Sequence, residues 1–402
     1  MNKFLKVTAT ALLAFALVAC GGQSKDVDKS KVLKVSMEES YMPFIESIRG
    51  AFEEEHGITL EITTRPMFDS LDGLALEGPA GNAADVFMLP HDRIGPLVTA
   101  GQLAQVSLDD ADAYPKKAVQ AATFLGDVYM APQSLEGLIL YYNKDLMPTA
   151  PTSFLELEAL VGKPEYAFSS EEGKSTAFLA NFLDMYYAYG AIAGYGGYAF
   201  GDMGTNPEDI GLNNAGSVEA LTYIKKWYDI YPQGLKDAEG AASIIKDSFN
   251  SGKTAAIIEG PWMANDLNIA NIGYAVIPEL PNGGEFSPFA GVKGWGISNF
   301  STNKELANSW LNYITNEENN KTYYEQTKEV PATIKNVEIV KASNDLLSGT
   351  VAKQFENAQP MPNIPEMSAI WDFKGTLFEA ASGSDIQTAA DNGVIIIKEA
   401  IA

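Results

Sequence analysis

Cysteine occurs once in the 402 residues, at Cys20, which excludes an intramolecular disulfide. Histidine occurs twice, at His56 and His91, too little for a Cys/His metal cluster or a Cys–His nucleophile pair. No metal and no cofactor is therefore expected. Basic residues are outnumbered, 28 Lys+Arg against 52 Asp+Glu, for a net charge of −24. Such a surface repels phosphate backbones and lacks the basic patch that would hold anionic lipid, so nucleic acid is excluded as a partner. Beyond the first twenty residues no apolar run is long enough to span a bilayer. Also missing are the P-loop, H-E-x-x-H, G-x-S-x-G and EF-hand strings.

Two near-matches fail on context. Gly194-Tyr195-Gly196-Gly197-Tyr198-Ala199 fits the loose dinucleotide pattern but follows a helix-like aromatic segment, not a strand. Ser301-Thr302-Asn303-Lys304 fits a serine-acylase string, yet Thr302 with Glu305 reads better as a capping box opening a helix at Asn303. The absence of a catalytic constellation points towards binding rather than turnover.

What is present is an ordinary folded composition, 46% hydrophobic and 20% charged, on a chain long enough for two domains. The leader MNKFLKVTATALLAFALVAC has Lys3 and Lys6 ahead of an apolar run, Ala11 to Val18, too short to cross a membrane, and residues 1–19 read as a secretory signal. Leu17-Val18-Ala19-Cys20 resembles a bacterial lipobox, which implies lipidation of Cys20 and stable anchoring through several acyl chains. Residues 20–31, polar and glycine-bearing, read as a tether, with the folded body beginning near Val32.

From there strands and helices alternate. Val32 to Ser36, Ile58 to Thr63 and Asp85 to Leu89 read as strands, with Phe44, Ile45, Ile48 and Phe52 at helical spacing between the first two. Thr254 to Glu259 and Ile272 to Ile277 are further strands, and 163–176 and 279–288 read as loops. The order predicts an α/β protein with parallel sheets.

Five segments pair aromatic rings with carboxylates, amides or arginine. That is the chemistry of a sugar cleft: rings pack on the apolar C–H faces of a pyranose, and charged groups bind its hydroxyls. Asp92 and Arg93 follow the third strand, at its ligand-facing end; the competing reading is a structural ion pair. Glu136 lies where the chain leaves one domain for the other, or is a solvated loop carboxylate. Asp184 and Tyr186 open the run NFLDMYYAYGAIAGYGGY (181–198), part of which is core packing. Trp262 ends Glu259-Gly260-Pro261-Trp262, at a strand-to-helix junction. Trp371 ends MPNIPEMSAIW (361–371), where prolines precede a helix starting near Met367.

Together these segments resemble the maltose/maltodextrin-binding proteins of bacterial ABC importers. The resemblance runs collinearly from about Val32 to the C-terminus, most specifically in MPNIPEMSAIW, the HDR of 91–93, YNKDL (142–146), GGYAF (196–200) and EGPW (259–262). It implies a periplasmic-binding-protein-like fold: two α/β lobes, 32–135 plus 287–338 and 138–284 plus 339–402, with a hinge and a ligand cleft between them. The crossings would fall near 135–137, 285–288 and 335–342.

The resemblance further implies polar ligand contacts at Asp92, Arg93, Glu136, Asp184 and Glu39, and stacking rings at Tyr186, Trp262 and Trp371. It departs from the family at Leu89-Pro90, where a tryptophan is usual, at Glu39-Ser40 in place of an Asp-Lys pair, and at Asp372, where a tyrosine often stands. The implied role is a lipid-anchored, monomeric receptor on the outer face of the cell membrane of a single-membrane bacterium. It would close its lobes on maltodextrin and deliver it to an ABC permease. Another oligosaccharide, a cyclodextrin or a polyol is the alternative ligand. A secreted glycoside hydrolase, with its two carboxylates, is the alternative class.

Overall fold

The computed structural model describes residues 31–402; the expected leader, the Cys20 anchor and nearly all of the tether lie outside the described residues. No described helix is long and apolar enough to cross a membrane.

The expected strand–helix alternation is present. Val32–Met37 pairs in parallel with Thr59–Thr64 on one side and with Val86–Pro90 on the other. The helix between the first two strands, Met42–His56, buries Phe44, Ile45, Ile48 and Phe52 on one face. Gly57, at φ 63°, ends it by turning left-handed, and its N–H reaches Glu53 O. Each buried phenylalanine adds about 2–3 kcal/mol of apolar transfer. Those side chains share a core with Leu33, Val35, Trp295, Trp310 and Tyr323.

The sheets are mixed rather than parallel. Phe289–Ser298, buried along its whole length, runs antiparallel to Val86–Pro90 and to Ala131–Glu136, and Val330–Pro331 adds a further antiparallel pair. In the second sheet Ile139–Asn143 is antiparallel to Ala256–Glu259 and to Ile272–Ala275, and only Phe178–Leu179 pairs in parallel. The reason is topological: strands that carry the chain from one sheet to the other return in the opposite sense, so helical crossovers do not set their direction.

Those carriers define the two lobes. Ala131–Glu136 ends in the first sheet, and two residues later Ile139–Asn143 begins the second. Phe289–Ser298 brings the chain back, with its first residues paired to Gln359–Pro360. Around the second sheet, Ala215–Ile230, Lys374–Ser382 and Ile386–Ile401 pack together.

Two local expectations are corrected. Asn303 caps Lys304–Thr315 without a side-chain bond, so Thr302 and Glu305 form no capping box; Ser301 Oγ instead accepts from Asn303 N–H at 3.1 Å. The segment 163–176 is more than a surface loop, since Tyr166 is buried and Ala167 bridges Ser175.

Candidate functional site

Three parallel strands end on one edge of the first sheet. They are followed by Glu38-Glu39, by Arg65-Pro66 and by His91-Asp92-Arg93. In open α/β sheets the crevice outside the carboxyl ends of strands is where ligands bind. The Asp92 carboxylate lies 3.6 Å from Arg93 Nε, and the Arg93 guanidinium sits 5.2 Å over the ring of Phe68. The residues are ion-paired, as the structural reading expected, and they follow the carboxyl end of a strand. Arg93 Nε has no hydrogen-bond partner among the described residues.

His91 is fully buried beneath them. Its Nε2 lies 3.1 Å from Met361 O, and its Nδ1 lies 3.2 Å from both the N and the O of Val292. Burial favours the neutral ring, which has one proton; with that proton on Nε2 towards Met361 O, Nδ1 is the acceptor for the Val292 N–H. The neutral ring clips the strand-end segment to 361–371. Gly95 N–H adds a bond to Asn363 O at 3.0 Å. The two most specific segments of the sequence are thus bonded to each other.

Glu136 is no solvated loop carboxylate. It ends the Ala131–Glu136 strand opposite Gly291, and its Oε1 meets Lys293 Nζ at 2.9 Å. The ammonium also meets Glu329 Oε2 at 2.9 Å and the Tyr41 hydroxyl at 2.6 Å.

Asp184 caps the helix Met185–Gly194, its Oδ1 accepting from Tyr186 N–H at 2.8 Å. Burial pushes its carboxyl above the usual range. The cap fixes the start of the helix and so aims Tyr186. The Tyr186 ring lies 6.1 Å from Trp262 and 6.4 Å from Phe289. Trp371 meets the same Phe289 edge-on at 6.1 Å. Tyr189, one turn further along the helix, stacks on Phe289 at 3.7 Å and 8°, which is the core packing expected within this tyrosine run. Trp262 is 48% exposed, a large ring presented to solvent beside the half-buried Tyr186.

The structure therefore brings Tyr186 and Trp371 onto Phe289, and Trp262 onto Tyr186. It also brings the carboxylates near: burial first, then the charges of Glu136, Asp92 and Asp184, push the Tyr186 hydroxyl well above its ordinary value. Glu39 is exposed, and among the described residues no hydrogen bond or ion pair reaches its carboxylate; its neighbour Tyr41 joins the Lys293 network instead. No group of His, Cys, Asp and Glu among the described residues could hold a metal.

Sequence reasoning missed Lys293, Glu329, Tyr41 and Phe289. The signal for Lys293 was available: a lone cation inside the apolar strand FAGVKGWGIS has to be paired. Phe289 carried no comparable signal, since a phenylalanine opening a buried strand is ordinary core.

Known proteins share this fold. The chain is similar to the maltodextrin-binding protein MdxE of Bacillus subtilis, 45% identical over 408 residues, covering 100% of this chain and 98% of the relative. It is 42% identical over 417 residues to a maltooligosaccharide ABC transporter solute-binding lipoprotein of Streptococcus pneumoniae, covering 100% of this chain and 98% of the relative. Among solved structures it is similar to the maltose-binding protein MalE of Listeria monocytogenes in complex with maltose, at TM-score 0.87 and 48% identity, covering 93% of this chain and 98% of that one. A family described as bacterial extracellular solute-binding protein matches residues 48–346. With its two lobes and these matches, the chain belongs to the bacterial extracellular solute-binding protein family.

Proposed function

We propose that this chain is the solute receptor of a bacterial ABC importer for α-1,4-linked glucans, maltose and maltodextrins. The observation that carries this reading is the exposed Trp262 ring beside Tyr186, with Asp92, Asp184 and Glu136 acting on the same tyrosine. Glucose units offer an apolar face to the rings and hydroxyls to the carboxylates and Arg93. Carboxylates are the stronger acceptors because the bonds they make are charge-assisted.

The lobes, 32–135 plus 287–338 and 138–284 plus 339–402, close on the bound chain. A ligand touching both lobes favours the closed form by its differential affinity for that form. The closed form is what the permease recognises. Cys20 carries the lipid that keeps the monomeric receptor on the outer face of the membrane of a single-membrane cell; Cys20→Ser releases it into the medium if so. The family consists of solute receptors, and the carboxylates serve as hydroxyl acceptors rather than as a hydrolytic pair.

Calorimetric titration tests the ligand class. Maltose, maltotriose, longer maltodextrins and a cyclodextrin are titrated beside glucose, sucrose and a peptide. Heat with the α-1,4-glucans alone supports the reading; tight binding of another class with none of them overturns it. One observation favours a shifted preference within the sugars. Leu89, where related proteins carry a tryptophan, is fully buried and offers no platform, so one end of the glucan lacks a ring beneath it.

A further inference from the structure

Lys293 is a buried cation at the point where the two sheets exchange strands. Its side chain is 11% exposed. An ammonium has three protons, and all three are used: on Glu136 Oε1 at 2.9 Å, on Glu329 Oε2 at 2.9 Å and on the Tyr41 hydroxyl at 2.6 Å. The Tyr41 hydroxyl then donates to Glu329 Oε1 at 2.7 Å, and the Tyr323 hydroxyl donates to Glu329 Oε2. Glu329 is thereby saturated. Lys293 has no proton left for a ligand, so it does not touch one.

Glu136 differs from Glu329 in one respect. Its second oxygen, Oε2, takes no hydrogen bond among the described residues, and its side chain is 23% exposed. We propose that Lys293 is a positioning residue of the saccharide site, pinning Oε1 of Glu136 so that Oε2 is presented as the acceptor for a sugar hydroxyl. The proposal rests on the reading of Glu136 as a sugar contact.

The chemistry follows from counting charges. With Lys293 in place, two carboxylates share one cation. Without it, Glu136 and Glu329 lose the cation they share, and Glu329 keeps only the hydroxyls of Tyr41 and Tyr323. His91 and Tyr186 are the other titratable groups that feel the charge on Glu136. Two unpaired carboxylates so placed cannot both stay ionised at neutral pH, and one takes a proton. With that proton shared across the pair, Glu136 keeps only part of its charge-assisted bond to the sugar.

The experiment is a double-mutant cycle on maltotriose affinity, by calorimetry on the mature chain, at acidic, neutral and alkaline pH. Lys293→Met is expected to lower affinity about tenfold at neutral pH, with recovery as pH rises and the carboxylate pair gives up its proton. Glu136→Gln is expected to lower affinity without that pH dependence, and the double variant to bind no more weakly than Glu136→Gln alone. Lys293→Met that lowers the melting temperature while leaving affinity and its pH profile unchanged overturns the proposal, as do losses that add in full. An unchanged affinity in Glu136→Gln removes the underlying reading of Glu136 itself, whatever Lys293 does. Should Lys293→Met fail to fold, Glu329→Gln carries the test. Affinity held within about threefold supports the proposal, because Lys293 keeps its bond to Glu136. A loss equal to that of Glu136→Gln overturns it, by assigning the effect to the network as a whole.

Discussion

The Tyr187 hydroxyl donates to Glu259 Oε2 across 2.7 Å, while Oε1 of the same carboxyl is buried without a hydrogen-bond partner among the described residues. Burial raises this carboxyl to about 7, and the charge of Asp184 adds to the rise against the bonds from Tyr187 and the Gly260 N–H. The folded state therefore holds a proton that the unfolded state releases near its ordinary value of 4.5. Stability is expected to fall as pH rises from about 4.5 to about 7, by on the order of 3 kcal/mol at most, and then to level off. Glu259→Gln removes that slope. Urea midpoints measured across this range, wild type against variant, check it; equal slopes in both refute it.

His91 acts in the opposite sense. Its ring is buried, and desolvation lowers its pKa below the ordinary 6.5. Burial is what favours the neutral ring, whose one proton serves Met361 O and leaves Nδ1 free to accept the Val292 N–H. Stability from this clip is full above pH 6.5 and is lost as pH falls below it, because the unfolded chain takes the proton first. His91→Gln is expected to be less stable at neutral pH and flatter below it, as thermal melts over mildly acidic buffers would read.

The three rings separate by exposure. Trp262→Ala is expected to weaken maltodextrin binding by about 2 kcal/mol, roughly 30-fold, with little change in melting temperature. Trp371→Ala and Tyr186→Ala weaken binding comparably but also destabilise the fold, because both pack against Phe289. Calorimetry paired with thermal melts distinguishes the two behaviours. A Trp262→Ala variant with native affinity would leave the exposed ring without a role.

Gly95 stands where two segments nearly touch. A Cβ there would lie 2.3 Å from Asn363 O and 2.8 Å from Pro365 N, both backbone atoms that cannot swing aside. Gly95→Ala is therefore expected to cost about 1–3 kcal/mol and to displace Asp92 and Arg93 from 361–371. Melting temperature and sugar affinity should fall together.

Much of this was legible in the sequence because local rules sufficed. Phe44, Ile45, Ile48 and Phe52 show a helix by spacing alone, and Gly57 shows its end. Trp262 and Trp371 stand at turn and helix boundaries marked by glycine and proline. The mixed direction of the sheets was not legible, because a strand does not carry in its own residues the sense of a partner 150 residues away. The environment of Glu136 was hidden for the same reason. Its partner Lys293 and the rest of that network, Tyr41, Tyr323 and Glu329, come from four separate stretches, and only the fold makes them neighbours. Glu39 remained solitary because the network closes through Tyr41, two residues on.

The rings around Phe289 hold one another. Tyr189 lies flat on it, Trp371 meets it edge-on, and Tyr186 bridges from it to Trp262. Tyr186, Trp262 and Trp371 lie outside the first sheet, but Phe289 opens one of its strands, and Asp92 and Arg93 follow another strand of that same sheet. The orientational freedom of the platforms is therefore surrendered when the chain folds, not when a glucan arrives. A sugar would land on a finished floor, with the Trp371 segment already held beside Asp92 and Arg93 by the bonds from His91 to Met361 and from Gly95 to Asn363.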